Sequence, residues 1–331
     1  MRKYILKIIY LAFIFSWTVM SCSEDNCIID EIEIENDFVE MSLSVNLPEE
    51  MLSRAGTLGD ESFTNVDILY WSVFEVNDDH DTSVSPKHIG EFNRSAFTNN
   101  NQTSETISLK LAKGKKYQVA VMAKYSSHNF ASFSKGHLIV DYSKTEMYNI
   151  NGDAFVGKSN IIDPEEGISD AVNLTRPFAQ INWGTSDLGA TSVKNILSTI
   201  GNSVSISSSA GNVYQDLDIL TGEVSNPIKN DITCSKTGIS GYSNYTFPTS
   251  ASNKTYNLIS STYILVDQNT STTVTTKTVF SNALSAEVVV DNVPVQANYR
   301  TNIYGALITE PNIFDIEVAK GFQNFSNITV Q

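Results

Sequence analysis

From residue 41 onward, short runs recur in which apolar residues fall at every second position, and this period leaves little choice of fold. Met41, Leu43, Val45 and Leu47 alternate with Ser42, Ser44 and Asn46, so an extended chain there has one apolar and one polar face, as a half-buried strand requires. Runs rich in β-branched and aromatic residues follow at 66–76, 106–111, 117–125, 172–183, 256–266, 274–280, 286–290, 299–308 and 314–318. Such residues suit a pleated, partly buried surface. Between them stand clusters of Asn, Ser, Thr, Asp and Gly, among them 77–81, 99–103 and 207–212, whose chemistry is that of turns. The stretch 186–200 (SDLGATSVKNILSTI) admits a short helix or a strand. Many spaced strands with polar connections predict an all-β chain of antiparallel sandwiches. A polar loop at 163–167 (DPEEG) and a fresh strand run opening at Arg176 divide the body into a sandwich over 41–175 and a second over 176–331, each of ordinary domain size.

Two segments of different character precede these strands. Residues 1–22 (MRKYILKIIYLAFIFSWTVMSC) open with Arg2, Lys3 and Lys7, continue as an apolar run and end on Ser21-Cys22. The cations hold the N-terminus on the cytoplasmic side while the run enters the bilayer, and the run is shorter than the roughly 20 residues of a permanent spanning helix. The segment resembles a bacterial lipoprotein signal peptide, which implies removal of 1–21 and acylation of Cys22. An ordinary secretory signal cut near Ser21 is the alternative. From Ser23 to Glu50 every charged residue is an acid; such a run repels itself, and 22–40 reads as an extended, solvated tether. Ser-Glu-Asp directly after a lipidated cysteine is similar to the acidic export signal of surface-exposed lipoproteins in Bacteroidota, implying an outer-membrane lipoprotein at the cell surface. Periplasmic retention is the alternative.

A formal net charge of -15 argues against nucleic acid or another phosphate-rich partner. With Cys22 lipidated, Cys27 and Cys234 are the cysteines left to pair; a small buried Cys234 and an incidental Cys27 is the other reading. Gly152–Ser159 (GDAFVGKS) fits the phosphate-loop pattern G-x-x-x-x-G-K-[ST]. Pro164 follows too soon for the helix whose amides would hold phosphates, so the expectation is a Gly-rich loop after a strand. His80, His88, His128 and His137 lack metal-ligand spacing, no G-x-S-x-G is present, and Cys234 has no nearby histidine; the chain reads as a non-enzyme without metal or cofactor. The acidic loops at 77–81 and 163–166 do not meet the calcium-loop pattern. Trp71 and Trp183 sit inside strand patterns and are expected in the core, although exposed they would be platforms for sugar rings.

Three stretches carry a family resemblance. They are Asn292–Thr309 (NVPVQANYRTNIYGALIT) with Phe314–Val318 and Gly321-Phe322, then Leu111–Ala123 (LAKGKKYQVAVMA), and Arg176–Asn182 (RPFAQIN). These are similar to segments of the fimbrillin-like proteins of Bacteroidota, the type V pilus subunits and their relatives. The resemblance implies two tandem transthyretin-like, Greek-key sandwiches and a structural subunit or adhesin that joins other pilus subunits. It also implies that an arginine-specific protease cuts near the start of the first domain, releasing the first strand and leaving a groove for a strand of the next subunit. On this chain the removable segment is 41–54, with Met41, Leu43, Val45 and Leu47 facing inward, and the cut falls between Arg54 and Ala55. Arg54 is the only Lys or Arg between Cys22 and Lys87. Donor candidates are Tyr299, Thr301, Ile303 and Leu307 within 299–318. Main-chain pairing would supply affinity and alternate side chains the register. The competing reading leaves the first strand in place, makes Arg54 a chance basic residue, and gives a monomeric surface lipoprotein that binds host glycan or protein. In the same C-terminal stretch, Gly305 suits a bulge or close backbone approach, and Pro294 is expected to end the preceding pairing.

Overall fold

Strands form where branched and aromatic residues alternate with polar ones. The computed structural model describes residues 37–48, 66–77, 85–97, 102–144, 153–168, 170–187, 203–208, 212–237, 244–246, 255–281 and 287–320. The first part of the chain supplies β1 (Phe38–Asn46), β2 (Ile68–Val76), β3 (Lys87–Ser95), β4 (Ser104–Ala112), β5 (Lys116–Lys124), β6 (Ala131–Ser134), β7 (His137–Val140), β8 (Ala154–Lys158) and β9 (Val172–Asn173). The rest supplies β10 (Phe178–Thr185), β11 (Ser203–Ser208), β12 (Tyr214–Asp218), β13 (Val224–Pro227), β14 (Ile232–Thr237), β15 (Asn244–Thr246), β16 (Thr255–Leu265), β17 (Thr272–Ser281), β18 (Glu287–Val295), β19 (Tyr299–Gly305) and β20 (Phe314–Lys320). No α-helix occurs among the described residues.

The strands make two β-sandwiches. In the first, a three-stranded sheet β4-β1-β9 faces a four-stranded sheet β3-β2-β5-β8 across a core that includes Leu43, Val45, Trp71, Val119, Phe155 and Val172. In the second, a nine-stranded sheet runs β20-β19-β10-β16-β12-β7-β6, with β13 on β12 and β15 on β16, and a four-stranded sheet runs β14-β11-β17-β18. Ile181, Trp183, Ile264, Phe280, Val293 and Ile303 fill the space between them. Pairing is mostly antiparallel, as the alternation predicts; β1 with β9 and β10 with β19 are parallel.

A third apolar cluster joins the sandwiches. Tyr117, Val119, Val121 and Ala123 of β5 point into the first core, whereas Ala120 and Met122 point the other way, into a cluster with Phe74, Phe130, Leu138, Phe178 and Leu265. Burial on both faces is why the middle of β5 reads as an unbroken apolar run. The β6–β7 hairpin precedes residue 175 in the chain, yet β7 pairs with β12 of the second sandwich. Its two-residue turn places Lys135 at φ 48 and Gly136 at φ 77, the left-handed geometry that matches strand twist.

Two local expectations are corrected. Residues 154–158 of the phosphate-loop match are strand β8, not a loop after a strand: β8 pairs with β5, the Ser159 hydroxyl accepts the Val119 amide at 2.9 Å, and Lys158 Nζ donates to the Leu220 carbonyl. Pro294 does not end a pairing but lies within β18, opposite Thr273. β18 is an edge strand, where a missing donor is tolerated, and the register shift at Val274/Thr276 coincides with Asn292 at φ 56. The close approach expected at Gly305 is present, since a Cβ there would lie 2.4 Å from the Ile313 carbonyl oxygen.

Candidate functional site

β1 occupies the middle of its sheet. It pairs antiparallel with β4 along its whole length, from Phe38 opposite Ala112 to Asn46 opposite Ser104. On its other side Val45 and Asn46 run parallel to Val172 and Asn173. The Leu47 amide donates to the Thr103 carbonyl and the Leu174 amide to the Asn46 carbonyl, each at 2.8 Å. Leu43, Val45 and Leu47 are buried, Met41 packs at the margin of the core, and Glu40, Ser42 and Ser44 face outward. The alternation read from the sequence is thus a division between core and solvent.

Those three buried side chains alone are worth roughly 5–9 kcal/mol of apolar burial, at about 1.5–3 kcal/mol each. A whole domain is stable by about 5–15 kcal/mol. An empty slot between β4 and β9 would therefore put the first sandwich at risk of unfolding, and the slot needs an occupant of matching period.

Residues 172–177 form a strap on the far side of β1. Val172 and Leu174 are buried. Thr175 and Val156 exchange backbone hydrogen bonds at 2.8 Å in both directions. Gly157 of β8 permits this approach, because a Cβ there would lie 2.9 Å from Val172 Cγ1 and 3.0 Å from the Asn173 carbonyl oxygen. A glycine inside a strand commonly marks such contact. At the end of the strap Arg176 is buried. Its Nε lies 2.7 and 2.8 Å from the two Asp153 carboxylate oxygens, Nη2 completes the ion pair at 2.5 Å, and Nη1 donates to Asn298 Oδ1 at 3.1 Å. The guanidinium also lies 4.9 Å from the Phe155 ring centroid. Burial pushes the Asp153 carboxyl above its usual range, opposed by the charge and hydrogen bonds of Arg176. Asp153 directly precedes β8 in the first sandwich, and Asn298 sits in the turn before β19 in the second. In the sequence Arg176 opens a strand run and belongs to a motif, but its partners lie 23 and 122 positions away and are not legible there.

The donor candidates are placed differently from β1. β19 lies inside the large sheet, paired with β10 and β20. Thr301, Ile303 and Leu307 are buried and Tyr299 is half-buried. The strand at the edge is β20, where Ile316 and Val318 are 40% and 43% exposed, so β20 is the member of the terminal pair that separates at lower cost. Trp71 and Trp183 are core residues, although Trp71 stacks at 5.6 Å on Phe92, which is 49% exposed. Cys22, Cys27, Arg54, Ala55 and His80 lie outside the described residues; Cys234 stands in β14 with its backbone opposite Ile206. No three or more His, Cys, Asp or Glu side chains are gathered as a metal site among the described residues.

No curated protein matches the chain by sequence. Among solved structures it is similar to fimbrial and adhesin proteins. One is a putative cell adhesion protein from Bacteroides uniformis, at 13% identity and TM-score 0.48 over 86% of this chain and 99% of that one. Others are the C-terminally truncated tip fimbrial protein Mfa3 from Porphyromonas gingivalis, at 10% identity and TM-score 0.42 over 86% and 100%, and the fimbrial anchor protein Mfa2 from the same organism, at 9% identity and TM-score 0.43 over 85% and 98%. A family model matches residues 34–331, nearly all of the sequence that follows the N-terminal segment, and the chain belongs to that family, DUF6562, described as a family of unknown function.

Proposed function

We propose that this chain is a non-enzymatic structural subunit or adhesin of a type V pilus, exported as a lipoprotein on Cys22 and assembled at the outer-membrane surface by strand exchange. In this reading the acidic tether 22–40 spaces the body from the lipid, and an arginine-specific protease cuts between Arg54 and Ala55. β1 then leaves, and a strand of a neighbouring subunit takes its place against β4. The observation that carries the reading is β1 itself, a full-length amphipathic strand held between two neighbours and leading within a few residues to an isolated arginine. The donor comes from the terminal pair, with β20 leaving its edge first. Low-dose trypsin on the mature protein, followed by N-terminal sequencing and native mass, tests this. Cutting after Arg54 followed by a ladder of oligomers supports it, and a clipped protein that stays monomeric at high concentration refutes it.

A second reading, a monomeric surface lipoprotein that binds host glycan or protein, draws on the half-exposed Phe92 ring stacked on Trp71. Aromatic faces of this kind stack on apolar sugar faces. Quenching of Trp71 fluorescence by host glycans, abolished in Phe92→Ala, would favour it; no response across a broad glycan panel counts against it.

A further inference from the structure

The strap 172–177 is the element through which β1 reaches the second sandwich. At one end it is held by β1: Val45 lies opposite Val172, Asn46 opposite Asn173, the Asn46 carboxamide donates to Asn173 Oδ1 at 3.0 Å, and the Leu174 amide donates to the Asn46 carbonyl at 2.8 Å. Among the described residues, β9 pairs as a strand with β1 alone, while Gly157 of β8 packs closely against Val172 and Asn173. At the other end Arg176 grips Asp153 and Asn298, and the Asn298 amide donates to the Phe178 carbonyl at 2.8 Å. Two residues, Leu174 and Thr175, separate the paired Asn173 from Arg176, a span of about 10 Å in extended chain. So short a connection has little slack to absorb a displacement before it reaches the guanidinium.

We propose that the strap couples the seating of β1 to the joint between the sandwiches. With β1 in place, Val172 to Leu174 are pinned, and Arg176 is presented to Asp153 and Asn298 together. When β1 is unseated, β9 loses its sheet partner, the strap opens locally, and the Arg176 grip on the turn before β19 loosens. Thr175 is also tied to Val156 of β8 by two backbone bonds, so the displacement passes to Arg176 through opening of that tie as well, and this local opening is the two-state element that such coupling requires. The device makes the angle and stiffness of the joint depend on what fills the slot between β4 and β9. It goes beyond strand exchange, because it concerns how the chain's own β1 is seated and holds even if β1 never leaves.

Hydrogen exchange on the intact mature protein, without protease, provides the test. Val45→Ala trims the side chain opposite Val172, and Asn46→Ala removes the bond to Asn173 with little effect on the core. Val73→Ala trims the same residue type from the same core on β2, which has no pairing with the strap. The expected result is at least tenfold faster exchange in peptides covering 174–178 and 296–300 for Val45→Ala, a smaller acceleration in the same peptides for Asn46→Ala, and rates within threefold of wild type for Val73→Ala. Equal acceleration by Val73→Ala would reduce the effect to general destabilisation and overturn the proposal, as would unchanged rates at 296–300 in both β1 variants. If Val45→Ala does not fold, Asn46→Ala against Val73→Ala decides.

Discussion

Replacing Arg176 by Met isolates what the joint contributes. The substitution keeps much of the apolar stem, and removes the guanidinium from a buried site where it meets Asp153, Asn298 and the Phe155 ring. Breaking a buried pair by deleting one partner costs about 3–5 kcal/mol, chiefly because the remaining charge is left unpaired. The lost bond to Asn298 and the ring contact fall within that range rather than adding fully, since all three share one group. The sign of the pH dependence follows from Asp153. Burial already raises its carboxyl, and in the variant only the hydrogen bond from the Ala154 amide is left to oppose the rise. A carboxyl whose folded pKa stands above its unfolded value of about 3.9 binds more protons folded than unfolded. Stability is therefore lost as pH climbs from about 4 through the raised pKa, because in that window the folded variant keeps Asp153 protonated while the unfolded chain ionises it. Urea unfolding from pH 4 to 8, followed through Trp71 in the first core and Trp183 in the second, should show a deficit of about 3–5 kcal/mol at pH 7 that shrinks toward pH 4. Adding Asp153→Asn should recover at least half of it. A deficit below about 1 kcal/mol, the scale of a solvated surface pair, or one that does not vary with pH, would refute the reasoning.

The remaining expectations concern β1 and its surroundings. Leu43→Ala should destabilise the first sandwich by about 2–5 kcal/mol, the range for emptying a buried leucine site, while Ser44→Ala on the outward face should stay within about 0.5 kcal/mol; similar values for the two in chemical denaturation would contradict the facing of β1. Gly157→Val should cost about 1–3 kcal/mol by forcing the strap away from β8, read as a lower melting temperature with faster amide exchange at Thr175, and a neutral result would show that the strap yields without strain.

How much was legible in advance varies strand by strand. β1 was readable because its inner and outer faces differ, and period 2 carries that difference directly. β5 and β10 were readable as strands but not as layers: Val119 to Ala123 is apolar at every position, which does not say what covers each face, and Gln180 and Asn182, polar residues that alternation assigns to solvent, are buried. β3 escaped detection: it is exposed along most of its length, and an edge strand held by main-chain pairing needs no apolar alternation. β8 was hidden by Gly157 and Lys158, residues that punctuate turns in most contexts. Here one makes room for the strap and the other reaches a carbonyl of the second sandwich. The candidate slot was partly legible for the same reasons: Met41 to Leu47 announced a strand, whereas its neighbours β4 and β9 lie far along the chain in either case.

Local chemistry therefore determined the all-β class, the face of β1 and the positions of many turns, because strand period and turn propensity act over a few residues. Tertiary structure alone decided which strands share a sheet, that the β6–β7 hairpin joins the second sandwich, that β19 is interior while β20 is at the edge, and that Arg176 clamps the joint. Each of those depends on partners distant in the chain, and the free energy that selects them comes from cooperative burial and pairing that no short segment encodes.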